Sequence, residues 1–124
     1  AWVGLFTHGS EAAIRLLGPQ FVHIHNSMRS GYTRGTVSIG KYTFIGAGSV
    51  VLPGVEIGKG CLVAAMSLVN ISIPDYAVVR GQPARVVGDT RELDKKHFEL
   101  NDYSATYYDP GVAAYILRTT GSKK

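Results

Sequence analysis

The sequence predicts an all-β fold: a parallel coil of very short strands, with a loop excursion near its start and short helices after it. Three observations carry this reading. An aliphatic β-branched residue returns at every sixth position, from Ile39 through Ile45, Val51, Ile57 and Val63 to Val69. Four residues after each stands Thr43, Ser49, Val55, Cys61, Ser67 or Ile73, mostly small. Directly after each comes Gly40, Gly46, Leu52, Gly58, Ala64 or Asn70. A period of six fits neither the 3.6 of an α-helix nor the 2 of one long strand. It fits a coil with tight corners, whose aliphatics stack inward on their copies in neighbouring turns. The small residue is expected to fit the corner. The glycine or asparagine is expected to take the left-handed backbone that a corner needs.

Composition narrows the function classes. The chain has 124 residues, 45% of them hydrophobic, which suits one folded domain and excludes wholesale disorder. No apolar run approaches the roughly 20 residues of a transmembrane helix, so no membrane partner is expected. Ala1–Phe6 lacks a basic start and a cleavage pattern, so no secretory leader is expected either. Cys61 is the single cysteine; it allows no intrachain disulfide and suits a reducing cytoplasm. The net charge of +4 is spread over scattered Lys and Arg residues. No basic run has interleaved aromatics, which argues against nucleic acid; a few cations could hold a polyphosphate ligand.

In chain order, Val3–His8 reads as one more hexad, with Val3 36 residues before Ile39 and Gly4 and Thr7 at small positions. The phase then fails at Gly9, Arg15, Ser27 and Thr33, so residues 9–36 leave the coil. Ser10-Glu11 can open a short helix through Leu17, which Gly18-Pro19 stops. Phe21–His25 reads as a short strand and Ser27–Gly35 as a surface loop. A long loop that interrupts a regular scaffold is more often functional than accidental.

Past Val69 the repeat ends at Pro74-Asp75. Tyr76–Val79 reads as a further strand, Gly81–Ala84 as a turn, and Arg85–Val87 as the next extended stretch. Asp89-Thr90-Arg91-Glu92 is a capping box that opens a helix to about Leu100, with Leu93, His97 and Leu100 on one face. Asp109-Pro110 starts a second helix whose apolar face is Val112, Tyr115 and Ile116. Tyr103, Tyr107 and Tyr108 are expected to pack this terminal segment, and the helices to cap the open end of the coil. Two domains follow: the coil with its insertion over 1–88, and a helical extension over 89–124. Six hexads make only about two turns. Such a thin core favours a homo-oligomer.

The hexads IGxGSVVLPGVxIGxG, followed by GxPARVV, resemble the left-handed β-helix (hexapeptide-repeat) acyltransferases. The resemblance is to the C-terminal half of galactoside, maltose and polysaccharide O-acetyltransferases, over Val3–His8 and Val37–Val87. It implies a left-handed coil against the usual right-handed crossover and a homotrimer. It also implies acetyl-CoA as co-substrate, no metal, and a small-molecule acceptor that is carbohydrate in the nearest relatives. The family's general base, a histidine that ends a hexad before a loop leaves the coil, falls on His8. An imidazole suits deprotonation of a hydroxyl or amine near neutral pH. The family's oxyanion donor, a backbone N–H, falls on Ala47. Phe44 stands where relatives often carry a tryptophan beside the acceptor site. Ala65 and Asn70 fall along the pantetheine arm, and Arg85 faces the nucleotide phosphates. The relatives' second basic residue falls on Gly88, a departure for which Arg91 or Lys59 are candidate substitutes. Relatives carry several coils before the histidine, whereas seven residues precede it here, so the acceptor pocket is expected to be missing, supplied by the excursion over 9–36, or lost with a truncated segment.

Two other functions are compatible with the residues. One is a non-catalytic trimeric scaffold that serves as a binding module. The other is a metalloenzyme resembling γ-class carbonic anhydrase, with His8, His23 and His25 as the candidate ligands. Histidines two apart on a strand face the same side, but His23 and His25 lie outside the coil's phase.

Overall fold

A computed structural model describes residues 2–6, 8–9, 15–23 and 33–120, with 8–9, 21–23 and 33–34 described by their backbone. The strands are two residues long over most of the coil. In order they are β1 (Gly4–Leu5), β2 (His8–Gly9), β3 (Thr33–Arg34), β4 (Ser38–Ile39), β5 (Phe44–Ile45) and β6 (Val50–Val51). Then come β7 (Glu56–Ile57), β8 (Leu62–Val63), β9 (Leu68–Val69), β10 (Ala77–Gly81) and β11 (Ala84–Asp89). Two helices follow, α1 (Thr90–Leu100) and α2 (Pro110–Thr120).

Parallel pairing builds three faces. Face A is β1-β6-β9 and face B is β4-β7, continued by a bridge from Ile57 to Ile73. Face C is β5-β8-β10, with β11 antiparallel on its edge. The inward residues form three triangular layers: Leu5, Ile39 and Ile45; Val51, Ile57 and Val63; Val69, Ile73 and Val79. The second and third layers are at most 3% exposed, whereas Leu5 and Ile39 in the first are 49% and 38% exposed. Ala77 and Ala84 join the same core, so the β10–β11 hairpin closes the C-terminal end of the coil.

Three sequence expectations are corrected here. The inward residue of the first strand is Leu5, which pairs with Val51, and not Val3. Leu5 and Val51 are 46 residues apart where Val51 and Val69 are 18 apart, so 28 residues are inserted in the first turn. That insertion leaves through an antiparallel stem, His8 opposite Arg34 and Gly9 opposite Thr33. Ile73 is also an inward layer residue and not a corner residue. The last turn is thus 16 residues from Ile57 to Ile73 where the others are 18. Within the insertion, residues 15–17 are helical and end at Gly18 as expected, but Gly18–His23 is a 3-10 helix where a strand was expected from Phe21. The expected helix start at Ser10-Glu11 and most of the Ser27–Gly35 loop lie outside the described residues.

The corner chemistry also differs from the expectation. The left-handed residues of the coil are Tyr42, Gly48, Gly54, Gly60, Met66 and Tyr76, each three places after an inward aliphatic. Gly40, Gly46 and Gly58 are glycine for another reason: a Cβ on Gly46 would stand 2.7 Å from Ala65 Cα in the next turn. The small residues do fill the corners, and they tie adjacent turns together. Ser49 Oγ donates to the Ala64 carbonyl at 3.0 Å and accepts from Ser67 N–H at 3.2 Å. Thr43 Oγ1 does the same between the Gly58 carbonyl and Cys61 N–H.

The helices form a second core of Phe98, Val112, Ala113 and Ile116. They pack along one corner of the coil and not over its open end. Thr90 Oγ1 donates to the Gly60 carbonyl at 2.6 Å, and Lys59 pairs with Asp109 at 3.0 Å. Asp89 caps α1 by accepting from Arg91 N–H, and Asp109 caps α2 by accepting from Gly111 and Val112. In α2 Val112 and Ile116 are buried and Tyr115 partly so, as expected. In α1 the buried residue is Phe98; Leu93 and Leu100 are exposed.

Candidate functional site

The corner between faces C and A carries a continuous column of backbone polar groups. Trp2 offers its carbonyl to Gly48 N–H. One turn on, Met66 N–H donates to the Ala47 carbonyl at 3.0 Å. One turn further, Gln82 Nε2 donates to the Met66 carbonyl at 2.7 Å. Glycine 46 lets the Ala64-Ala65 backbone lie against it, so Ala47 and Ala65 stand one above the other, both exposed and both without a bulky side chain. Among the described residues, neither Ala47 N–H nor Ala65 N–H has an acceptor. The other corners differ in this respect. In the register of Ala47, the corner between faces A and B has Pro53, which has no N–H. At the remaining corner Lys59 N–H is taken by Asp75 Oδ1 at 3.0 Å.

The column runs down to the hairpin of β10 and β11, where Arg80 and Arg85 are directly opposite each other. Residues directly opposite on antiparallel strands share a face, so the two arginine side chains leave the hairpin on the same side. Both are exposed, and among the described residues neither has a carboxylate partner. Arg80 thus stands as a second cation beside Arg85, where Gly88 carries none. The substitutes expected from the sequence are engaged elsewhere. Arg91 chelates Asp89 at 2.6 Å, which raises the arginine further and holds the Asp89 carboxyl below the usual carboxylate range. Lys59 is bound by Asp109, and its hydrogen bond there raises the lysine.

The expected site residues therefore fall into two groups. Ala47, Ala65 and Arg85 follow one corner, with Phe44 outward on face C three residues before Ala47 and 64% exposed. His8 and Asn70 lie at the other end of face A. Asn70 follows Val69, Phe6 N–H bonds the Val51 carbonyl, and His8 comes two residues later in the stem. From Trp2, beside Gly48, to His8 are six steps along the chain, with β1 between them. One chain thus places the expected base and the expected oxyanion donor at opposite ends of a face. Sequence reasoning missed Arg80, Met66 and Gln82. Arg80 was legible as the residue ahead of the Gly81-Gln82-Pro83 turn, since a tight hairpin pairs it with Arg85.

Among the described residues no three His, Cys, Asp or Glu side chains gather as a metal site. No described helix is long and apolar enough to cross a membrane. The side chains of His8, His23 and His25 lie outside this description.

Residues 36–70 match the bacterial transferase hexapeptide (six repeats) family. Over 72 residues the chain is 39% identical to YvoF of Bacillus subtilis (strain 168), a protein named as an acetyltransferase, covering 58% of this chain and 42% of that one. In its fold it is similar to a maltose O-acetyltransferase from Clostridium difficile 630, with a TM-score of 0.53 and 29% identity over 70% of this chain and 41% of that one. It is similar also to a galactoside acetyltransferase in complex with coenzyme A, with a TM-score of 0.52 and 28% identity over 86% of this chain and 44% of that one. The chain spans under half the length of each of these proteins.

Proposed function

We infer that this chain, whose residues 36–70 carry the bacterial transferase hexapeptide repeat, is the CoA-binding part of an acetyl-CoA-dependent O- or N-acetyltransferase. The observation that carries this reading is the corner column: an exposed Ala47 N–H, without an acceptor among the described residues, above Ala65, with Arg80 and Arg85 at its foot. An extended thioester arm needs a track without side chains, a donor at its carbonyl, and cations at its phosphates. The column supplies these in that order. The likeness to a galactoside acetyltransferase in complex with coenzyme A supports the same donor, and the likeness to a maltose O-acetyltransferase supports a sugar-like acceptor. Both support a left-handed coil, and Cys61, a free buried thiol, suits the cytoplasm.

In the reaction, the acceptor's hydroxyl or amine attacks the thioester carbonyl while His8 takes its proton. The carbonyl oxygen becomes an oxyanion and is held by Ala47 N–H, a donor that needs no reorganisation. The C–S bond then breaks, the acetyl group stays on the acceptor, and the CoA sulfur recovers the proton from His8. Ala65 lines the pantetheine arm, Asn70, at the His8 end of face A, reaches that arm from the neighbouring copy, Arg85 takes phosphate, and Phe44 flanks the acceptor.

His8 and Ala47 act together only if one copy brings its His8 end of face A to the Ala47 corner of the next, which a homotrimer of parallel coils does three times. Substitution tests this directly. Pro53 holds the register of Ala47 at another corner, so Ala47→Pro removes one N–H without disturbing the turn. His8→Ala and Ala47→Pro trimers should each be inactive, and mixed trimers should regain part of the activity. Activity in pure His8→Ala trimers would overturn the general-base role; inactive mixed trimers would overturn the shared site. Thermal unfolding with acetyl-CoA, which must raise the midpoint if the folded state alone binds it, separates loss of binding from loss of chemistry.

A further inference from the structure

Among the described residues three left-handed positions of the coil carry a side chain: Tyr42, Met66 and Tyr76. Two of them have a reason in the packing. The Tyr42 ring lies 5.1 Å from that of Tyr108, centroid to centroid. The Tyr76 hydroxyl donates to Asp109 Oδ2 at 3.0 Å, and Arg91 lies over its ring at 4.6 Å. Both tyrosines thus join the coil to the helices. Met66 stands at the corner between faces C and A, away from the helices, and is 62% exposed. A strained backbone that presents an apolar side chain to solvent points to a use outside folding.

The Met66 side chain lies back along the corner column. A Cβ added to Gly48, one turn up, would overlap Met66 Sδ and stand 3.5 Å from its Cγ. The thioether therefore fills the space that glycine leaves. Gly48 N–H is already taken by the Trp2 carbonyl, so the donor left beside the thioether is Ala47 N–H. The Met66 backbone is pinned on both sides, by its N–H to the Ala47 carbonyl at 3.0 Å and by Gln82 Nε2 on its own carbonyl at 2.7 Å.

We propose that Met66 sets the size of the acyl group: the site takes an acetyl-sized thioester, whose methyl rests against the Met66 thioether. The proposal rests on the donor site inferred above. A thioester whose oxygen is held by Ala47 N–H has its carbonyl carbon close to the Ala47-Gly48 backbone, which Met66 covers from below. A methyl makes van der Waals contact there. An acyl group branched at the carbon next to the carbonyl carries its bulk where it cannot point away. It must push the thioether off Gly48, and the pinned Met66 backbone cannot follow, which is the condition for overpacking. Glycine at 66, as at Gly48 one turn up, would leave that space open.

The test is calorimetric titration of CoA, acetyl-CoA and isobutyryl-CoA into wild type, Met66→Gly and Met66→Leu, with melting temperatures alongside. Wild type should bind isobutyryl-CoA about tenfold or more weakly than acetyl-CoA. Met66→Gly should bring the two thioesters close to equal. It should also bind CoA as wild type does and melt as wild type does, since glycine takes the left-handed backbone without strain. Met66→Leu keeps the bulk and should keep the discrimination. Wild type that binds both thioesters alike, or Met66→Gly that discriminates as wild type does, would overturn the proposal while CoA binding leaves the donor site standing. Met66→Gly that melts early and loses all three ligands alike would make Met66 a structural residue and overturn it too. Failure of wild type to bind CoA at all would overturn the donor site, and the proposal with it.

Discussion

Met66 donates its backbone N–H to the Ala47 carbonyl and receives Gln82 Nε2 on its own carbonyl. It adopts φ of 63°, a left-handed conformation costly for a residue with a side chain. The two bonds hold that turn, and with it the direction of the Ala47 and Ala65 N–H groups. Gln82→Ala should therefore cost about 1 kcal/mol of stability and weaken CoA severalfold, while Gln82→Glu, which keeps the length but not the donor, should do the same. Paired denaturation and CoA titrations check both.

Glycines 46 and 54 should fail differently. A Cβ on Gly46 meets backbone of the next turn, at 2.7 Å for Ala65 Cα and 2.9 Å for Ala64 C, which cannot swing away. Gly46→Ala should destabilise by about 3 kcal/mol. Gly54 has open space but φ of 82°, so Gly54→Ala should cost only about 1 kcal/mol of conformational strain. Urea midpoints of the two variants give the comparison.

Removing the paired cations should act on the donor and spare the fold. Arg80→Gln with Arg85→Gln should raise the CoA dissociation constant about a hundredfold at low salt, from two lost charge-assisted contacts. The gap should narrow as salt screens the exposed pair. The melting temperature without CoA should not move. Equal affinity for wild type and double variant at low salt would remove both arginines from the site.

Acid should loosen the junction of coil and helices. The Lys59 ammonium, bonded to Asp109 at 3.0 Å, holds that carboxyl below the usual carboxylate range, helped by Val112 N–H. A carboxyl lowered by folding contributes stability above its unfolded value, near 3.9, and loses it as pH falls through the lower folded value. Asp109→Asn should accordingly melt below wild type at pH 7, and the two curves should converge below about pH 4. Melting temperatures across pH 2–7 decide this.

Cys61 is buried, and burial pushes its thiol up, so little thiolate forms near neutrality. Its Sγ donates to the Pro74 carbonyl at 3.1 Å. Thiol reagents should label it only as fast as the coil opens. Cys61→Ser should be tolerated, since the hydroxyl can keep that bond. Rapid labelling of native protein would show the corner to be open.

The coil was legible because its period is set by backbone geometry, and one aliphatic per six residues has no other use. What the pattern hid were the places where one residue type answers two demands. Gly46 looked like a turn glycine but is small because Ala65 lies against it, while the turn itself falls at Gly48, or at Met66 one turn later. Val3 and Leu5 are both aliphatic, and only the pairing of Leu5 with Val51 tells them apart. Ile73 kept an aliphatic while the last turn lost two residues, so a strict six-residue count misplaced it. The stacking of Ala47 and Ala65 on one corner was legible, since it follows from the coil's period. Arg80 was passed over because its meaning depends on Arg85 across a hairpin, which the Gly81-Gln82-Pro83 turn signals only once its two strands are paired.

The 28 residues that separate Leu5 from its regular place leave and return through one stem, His8 opposite Arg34, while Leu5 still stacks on Val51 as if nothing intervened. The ladder is therefore indifferent to cargo length at this point, and closing a loop twice as long adds only about 0.6 kcal/mol. For protein engineering, this is a port. A folded domain with neighbouring termini, spliced between Gly9 and Thr33, should ride on the coil without unseating it, and a trimer would display three copies at fixed spacing.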